Sequence, residues 1–131
     1  MEKEFIPYNL ALILKELGFD EALSFYFDIE ENNKLKPIPM KDEICSFHSN
    51  RDKLMIAAPT FSQAFRWFRK THNLHKFVHY HTKPSYTFAV FCDIEMYWTL
   101  HEGISFNSYE EAELECLKKL IEIAKEQNYG K

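Results

Sequence analysis

The sequence predicts an α+β fold, an antiparallel β-sheet with three helices packed mainly on one face. Three observations predict it. Apolar residues recur at helical spacing near both ends and once in the middle. Strand-like alternation fills the stretches between them. The connections among the central strands are short, which implies antiparallel neighbours. The chain has 131 residues, 46% hydrophobic and 27% charged, which suits one globular α+β domain spanning 1–131. Three glycines and five prolines argue against low-complexity or collagen-like structure.

The first helix is predicted from Pro7 to Leu17. Proline is tolerated in a first turn, and Leu10, Ile13, Leu14 and Leu17 recur on one face. Gly18 ends it, because glycine takes the left-handed conformation at no steric cost. Leu23, Phe25, Phe27 and Ile29 then alternate with Ser24, Tyr26 and Asp28 as a half-buried strand. Residues 30–42, with Asn32-Asn33 and Pro37-Ile38-Pro39, read as a loop containing a short edge strand. Ile44 to His48 reads as a further strand.

Thr60 opens the second helix, and Gln63 three residues later completes a capping box. Its apolar stripe is Phe61, Ala64, Phe65 and Phe68, with Arg66, Trp67, Arg69 and Lys70 off it. Ser108 and Glu111 open the third helix in the same way. That helix should bury Ala112, Cys116, Leu117, Leu120, Ile121 and Ala124.

Between these helices three strands are predicted: Lys76 to Thr82, Tyr86 to Asp93, and Met96 to His101. Pairing Thr82 with Ser85 and Asp93 with Met96 gives an apolar face of Val78, Tyr80, Ala89, Phe91, Trp98 and Leu100 beneath the helices. The other face then carries His75, Phe77, His79, His81, Tyr86, Phe88, Cys92, Tyr97 and His101. A slip of one residue in either turn would invert part of this assignment.

Charge is unevenly distributed. No aspartate or glutamate occurs from Lys53 to Cys92, a stretch holding Lys53, Arg66, Arg69, Lys70, Lys76 and Lys83. The remaining 10 basic and 20 acidic residues give the rest of the chain a formal −10, and the whole chain −4. Two readings follow. The second helix and the hairpin after it present a positive surface, near Trp67 and Tyr80, to an anionic partner such as nucleic acid, a nucleotide or an acidic protein. Alternatively the basic elements pair with the acidic first and third helices, within a subunit or across a dimer. A sequence pI near 5.9 favours the second reading over nucleic-acid binding. Arg66 and Arg69, one turn apart, are the expected anion-contacting pair.

His75, His79 and His81 share a strand face at a period of two. His79 and His81 are the candidate metal ligands, because neighbouring imidazoles on one face stand about 7 Å apart and can bridge a transition metal. A third ligand is missing nearby, and the bland reading is a solvent-facing strand rich in histidine. Cys92, placed opposite His75, could make a thiolate nucleophile, but no orienting carboxylate lies close in sequence. Ser62 lacks a nucleophile-elbow context, and there is no phosphate-cradling glycine loop. No catalytic residue and no cofactor is therefore assigned.

Three cysteines without paired spacing disfavour a disulfide framework or a zinc ribbon and fit a reducing cytoplasm. The N-terminus lacks a secretory pattern and no apolar run is long enough to span a membrane. Aromatics make up 16% of the chain, more than one core of this size usually needs, so some are expected at an interface. Trp67, off the stripe and beside Arg66, is the residue expected at a partner contact.

Three blocks resemble a group of small uncharacterised proteins encoded by prophages and mobile elements of Bacteroides-like bacteria. They are Phe5-Ile6-Pro7-Tyr8 through Leu14-Lys15-Glu16-Leu17-Gly18-Phe19-Asp20; Ala58-Pro59-Thr60 with Gln63-Ala64-Phe65-Arg66-Trp67-Phe68-Arg69; and Ser108-Tyr109-Glu110-Glu111-Ala112 through Cys116-Leu117-Lys118-Lys119-Leu120-Ile121-Glu122-Ile123. Together they cover a little under half of the chain. The resemblance implies a bacterial cytoplasmic setting and a phage or mobile-element origin, and no activity. The sequence thus predicts a small non-enzymatic binding or accessory protein that self-associates or docks a protein partner through Arg66, Trp67, Arg69 and Lys70. Nucleic-acid or nucleotide binding through residues 53–92 is one alternative, and a metal-dependent enzyme built on His79 and His81 is another.

Overall fold

A computed structural model describes residues 4–19, 21, 23–37, 55–82, 85–92, 99–100 and 106–129. The chain divides into two compact units, Met1–Ala64 and Phe65–Lys131. Among the described residues each holds an antiparallel three-stranded sheet, so the α+β fold carries two small sheets there where the sequence predicts one.

In the first unit, Phe5 bridges Thr60, and the Ile6 N–H donates to the Pro59 carbonyl at 3.1 Å. Helix α1 (Tyr8–Glu16) follows with Pro7 as its N-cap. It buries Leu10, Ala11 and Leu14. Gly18 ends it at φ +97°. The Gly18 N–H donates to the Lys15 carbonyl at 3.1 Å and the Phe19 N–H to the Leu14 carbonyl at 2.9 Å, the two bonds of a Schellman stop. Leu14 and Phe19, the apolar pair that accompanies such a stop, are both buried.

Strand β1 (Phe25–Asp28) lies between β2 (Lys34–Pro37) and β3 (Met55–Ala57). It is shorter than the predicted strand and not half-buried: the neighbours Tyr26 and Phe27 are both buried, so both sides are covered. Ile29 belongs instead to a 3-10 turn, Ile29–Glu31, capped by Asp28 Oδ1, which accepts from the Glu30 N–H at 3.0 Å. Asn32 and Asn33 then take φ of 57° and 60°, a conformation asparagine tolerates, and reverse the chain into β2. Strand β2 is the edge strand expected within residues 30–42. Lys36 on it reaches Asp28 at 3.1 Å and Glu31 at 2.6 Å. The Lys36 hydrogen bond holds the Asp28 carboxyl below its usual 3.8. Helix α1 lies beside β3, and Lys15 Nζ donates to the Met55 carbonyl at 3.1 Å. The strand predicted at Ile44 to His48 lies outside the described residues. The sequence does not predict strand β3, because three residues are too few to show an alternation.

Helix α2 (Phe61–His72) starts at the end of the first unit and runs into the second. Its predicted capping box is formed: the Thr60 N–H donates to Gln63 Oε1 at 2.8 Å and the Gln63 N–H to Thr60 Oγ1 at 3.2 Å. Asn73 at φ 57° turns the chain into the second sheet, ordered β4 (Leu74–Thr82), β5 (Ser85–Cys92) and β6 (Thr99–Leu100).

Helix α3 (Tyr109–Tyr129) lies across β4 and β5. Ser108 Oγ accepts from the Glu111 N–H at 3.2 Å as expected. The return bond differs by one residue, since Glu111 Oε2 accepts from the Asn107 N–H at 3.3 Å. All six residues predicted to line its buried stripe are buried: Ala112, Cys116, Leu117, Leu120, Ile121 and Ala124.

The register of β4 against β5 corrects the predicted face assignment. Thr82 pairs with Ser85 as expected, but the register shifts between Tyr80 and Thr82, leaving His81 as an extra residue. From there Tyr80 faces Tyr86, Val78 faces Phe88 and Lys76 faces Val90. Strand β5 is therefore turned over relative to the expectation. Phe88 and Val90, both buried, share the helix-covered face with Val78. Ala89 shares the other face with Phe77, which is 57% exposed. Strand β6 keeps its predicted pairing, Ala89 with Leu100 and Val90 with Thr99, and so turns over with β5. Trp98, Tyr97 and His101 of the predicted third strand lie outside the described residues.

Candidate functional site: the basic face of α2 and the aromatic edge of the second sheet

Along α2 the buried arc is wider than the predicted stripe. Ala64, Phe65, Trp67 and Phe68 are all buried. Trp67 is only 4% exposed, which corrects the expectation of a surface partner contact. The reason is angular. A helix turns about 100° per residue, so Trp67 sits next to Phe68 at the margin of the arc rather than opposite it. Its indole packs edge-to-face on Phe68 at 5.0 Å and on His72 at 4.9 Å.

Arg66, Arg69 and Lys70 fall on the opposite arc, and all three are exposed. Spacings of three and four residues put them on one helix face. Arg69 and Lys70 occupy the last turn, where positive charge complements the helix dipole. Elsewhere described lysines meet acids: Lys36 pairs with Asp28 and Glu31, Lys118 with Glu115 at 3.1 Å, and Lys119 with Glu122 at 3.5 Å. No acidic side chain among the described residues pairs with Arg69 or Lys70.

His72 closes α2 from its buried side. Its Nε2 is buried and has no hydrogen-bond partner among the described residues. Burial pushes the imidazole below its usual 6.5, and the Gln127 side chain of α3 pulls weakly the other way. A base held neutral in this way binds fewer protons folded than unfolded. Its contribution to stability is therefore full above pH 6.5 and is lost as pH falls from 6.5 toward the folded value. The urea midpoint should drop between pH 7.5 and pH 5, and His72→Phe, which keeps the ring against Trp67, should shrink that drop. An identical pH response in the variant would show that His72 does not supply it.

Under α3, Lys76 comes from the covered face of β4. Its Nζ stands 4.7 Å from the Phe65 ring centroid. Lys76 also acts electrostatically on Glu113 and Cys116 of α3. Burial pushes Glu113 above the usual carboxylate value, with Lys76 opposing it. Burial also pushes the Cys116 thiol up to about 12. A fully buried thiol held protonated at neutral pH packs as a small apolar group and does not act as a nucleophile.

At the open end of the same face three tyrosines form a row. Tyr80 and Tyr86 are cross-strand partners, their rings 5.5 Å apart at 64°. Tyr86 and Tyr109 are 6.2 Å apart at 86°. Tyr80 is 52% exposed and Tyr109 39%. The row is braced from the side: Tyr86 and Phe106 exchange two backbone hydrogen bonds of 2.9 Å as bridge partners, and Phe88 stacks on Phe106 at 6.0 Å. Sequence reasoning missed this row because the assumed register put Tyr80 and Tyr86 on opposite faces. The available signal was their position on either side of a tight turn.

The side chains of the predicted metal pair, His79 and His81, lie outside the described ones. The backbone bears on the premise, however. His81 is the residue left over at the bulge, so the alternation of two that would align it with His79 is interrupted there. No group of three histidine, cysteine, aspartate or glutamate side chains among the described residues is placed to hold a metal. The His75–Cys92 pairing is also not formed, since His75 faces Phe91 and Cys92 faces Leu74. No described helix is long and apolar enough to cross a membrane. No protein-family model matches the chain, and neither a curated protein nor a solved structure is significantly similar to it.

Proposed function

We propose that the chain is a small non-enzymatic binding protein of phage or mobile-element origin that self-associates through the basic face of α2. The observation that carries this reading is the exposed trio Arg66, Arg69 and Lys70, in which Arg69 and Lys70 have no acidic partner among the described residues. The complementary surface is available on a second copy. Helix α3 carries six glutamates against three lysines, and Glu111 and Glu126 are exposed on its outer side. In a two-fold dimer each α2 would meet the partner's acidic side, and the contact would be made twice. The origin rests on the three resembling sequence blocks alone.

Sedimentation velocity at low and high salt tests the reading. A dimer at low salt that weakens as salt rises, and that Arg69→Glu with Lys70→Glu abolishes, is the expected result. A strict monomer at every salt concentration would remove self-association. The same basic face favours one second reading, binding of an anionic nucleic acid or nucleotide. That reading requires affinity for single- or double-stranded DNA or RNA that falls steeply with salt, and a slope near zero would eliminate it.

A further inference from the structure

We infer that the row Tyr80–Tyr86–Tyr109 is a docking surface for a proline-rich, positively charged segment of another protein. The site is separate from the basic face of α2 and stands or falls independently of it. The rings form a rigid display. Tyr80 and Tyr86 are fixed by strand pairing, and Tyr86 is locked to Phe106 just ahead of α3, which delivers Tyr109. Exposed tyrosine offers a large amphipathic contact with little side-chain freedom to lose.

The geometry selects among ligands that use aromatic surfaces. Flat stacking of a nucleobase or a sugar ring wants an open ring face. Here successive rings meet at 64° and 86°, so each step is a notch with one ring as floor and the next as wall. A pyrrolidine ring fits such a notch. A polyproline II helix rises about 3.1 Å per residue, so prolines of one extended segment can enter both the 5.5 and the 6.2 Å step. That helix is largely preformed in the free peptide, so docking it orders little chain.

Charge decides the rest. Glu113 accepts the Tyr109 hydroxyl hydrogen bond, and Glu110 lies close enough to act on the same hydroxyl. Lys76 partly balances Glu113 from the covered side. Glu110 is exposed and has no ion pair among the described residues. A carboxylate at one end of the row repels phosphate and attracts an arginine or lysine flanking the prolines.

The test is a peptide array with Pro-x-x-Pro fixed, an arginine beside it and the remaining positions varied, followed by fluorescence-anisotropy titration of the strongest binders. Binding is expected to weaken at least tenfold in Tyr80→Ala and to persist within about threefold in Tyr80→Phe. Replacing the peptide arginine with glutamate, or Glu110 with Gln, should weaken it several-fold. Tyr80 is half exposed, and an unchanged amide NMR spectrum away from the hairpin would show that the variant is folded. Binders that tolerate Tyr80→Ala, equal binding of proline-free controls, or no binder in the array would each overturn the inference. A clear preference for oligothymidylate or a soluble β-glucan oligosaccharide would do the same.

Discussion

Trp67→Ala is expected to destabilise the protein by about 3–5 kcal/mol, the cost of removing a large buried aromatic side chain. Arg69→Ala, two positions further along the same helix, should change stability by less than about 0.5 kcal/mol, as for an exposed residue outside any network. The contrast follows from exposure and contact. Trp67 is 4% exposed and sits edge-to-face on Phe68 and His72, whereas Arg69 is exposed. Truncating the indole also leaves the His72 ring without one wall of its pocket, so cavity and lost ring contact add. Urea denaturation of the two variants beside the parent decides the matter. If the tryptophan variant lost less than about 1 kcal/mol, Trp67 could not be a core residue.

Lys76→Glu is expected to cost about 2 kcal/mol or more, and Lys76→Met less than half of that. Lys76 acts on Glu113 through its field and not in a closed ion pair, so the cost falls below that of breaking a buried pair, about 3–5 kcal/mol. In the parent, the Lys76 ammonium sits over Phe65 and opposes the burial that disfavours the Glu113 carboxylate. Glutamate at position 76 would set two carboxylates against each other under α3. Methionine would keep an apolar stem against Phe65 and remove only the charge. The sign of the pH effect follows. Glu113 is raised above its usual 4.5, so it holds its proton more tightly folded than unfolded. Its penalty is absent below pH 4.5 and grows as pH rises to the folded value. Lys76→Met should move that folded value higher, read as a later carboxyl titration of Glu113 by carbon-detected NMR. An unmoved titration would uncouple the two side chains.

Local chemistry carried most of the fold that was legible in the sequence. Thr60 and Gln63, three apart, can bond only each other's backbone at a helix start, and they do. Gly18 could be assigned its stop because the residue that takes φ +97° must lack a side chain that clashes. The stripe from Ala112 to Ala124 is a strict helical repeat, so its burial follows from spacing alone. Non-local facts were not legible. Nothing local to the hairpin announces that His81 is an extra residue, and that one residue decided which side of β5 is covered. The division of the strands into two sheets depends on pairing of β1 with β3, about thirty positions away in sequence. The candidate site divides in the same way. The basic face of α2 could be read from helical angles, but the width of its buried arc could not, and Trp67 was misplaced for that reason. The tyrosine row required the register, and the register required the structure.

The leftover histidine at the hairpin is a spacer that the ladder does not need. Removing it would make Thr82–Ser85 and Tyr80–Tyr86 successive rungs and leave Val78 opposite Phe88, so Phe88 and Val90 would stay beneath α3. Eversion would come instead from keeping the histidine and ironing out the bulge, which would shift every later rung by one and exchange Phe88 and Val90 for Thr87 and Ala89.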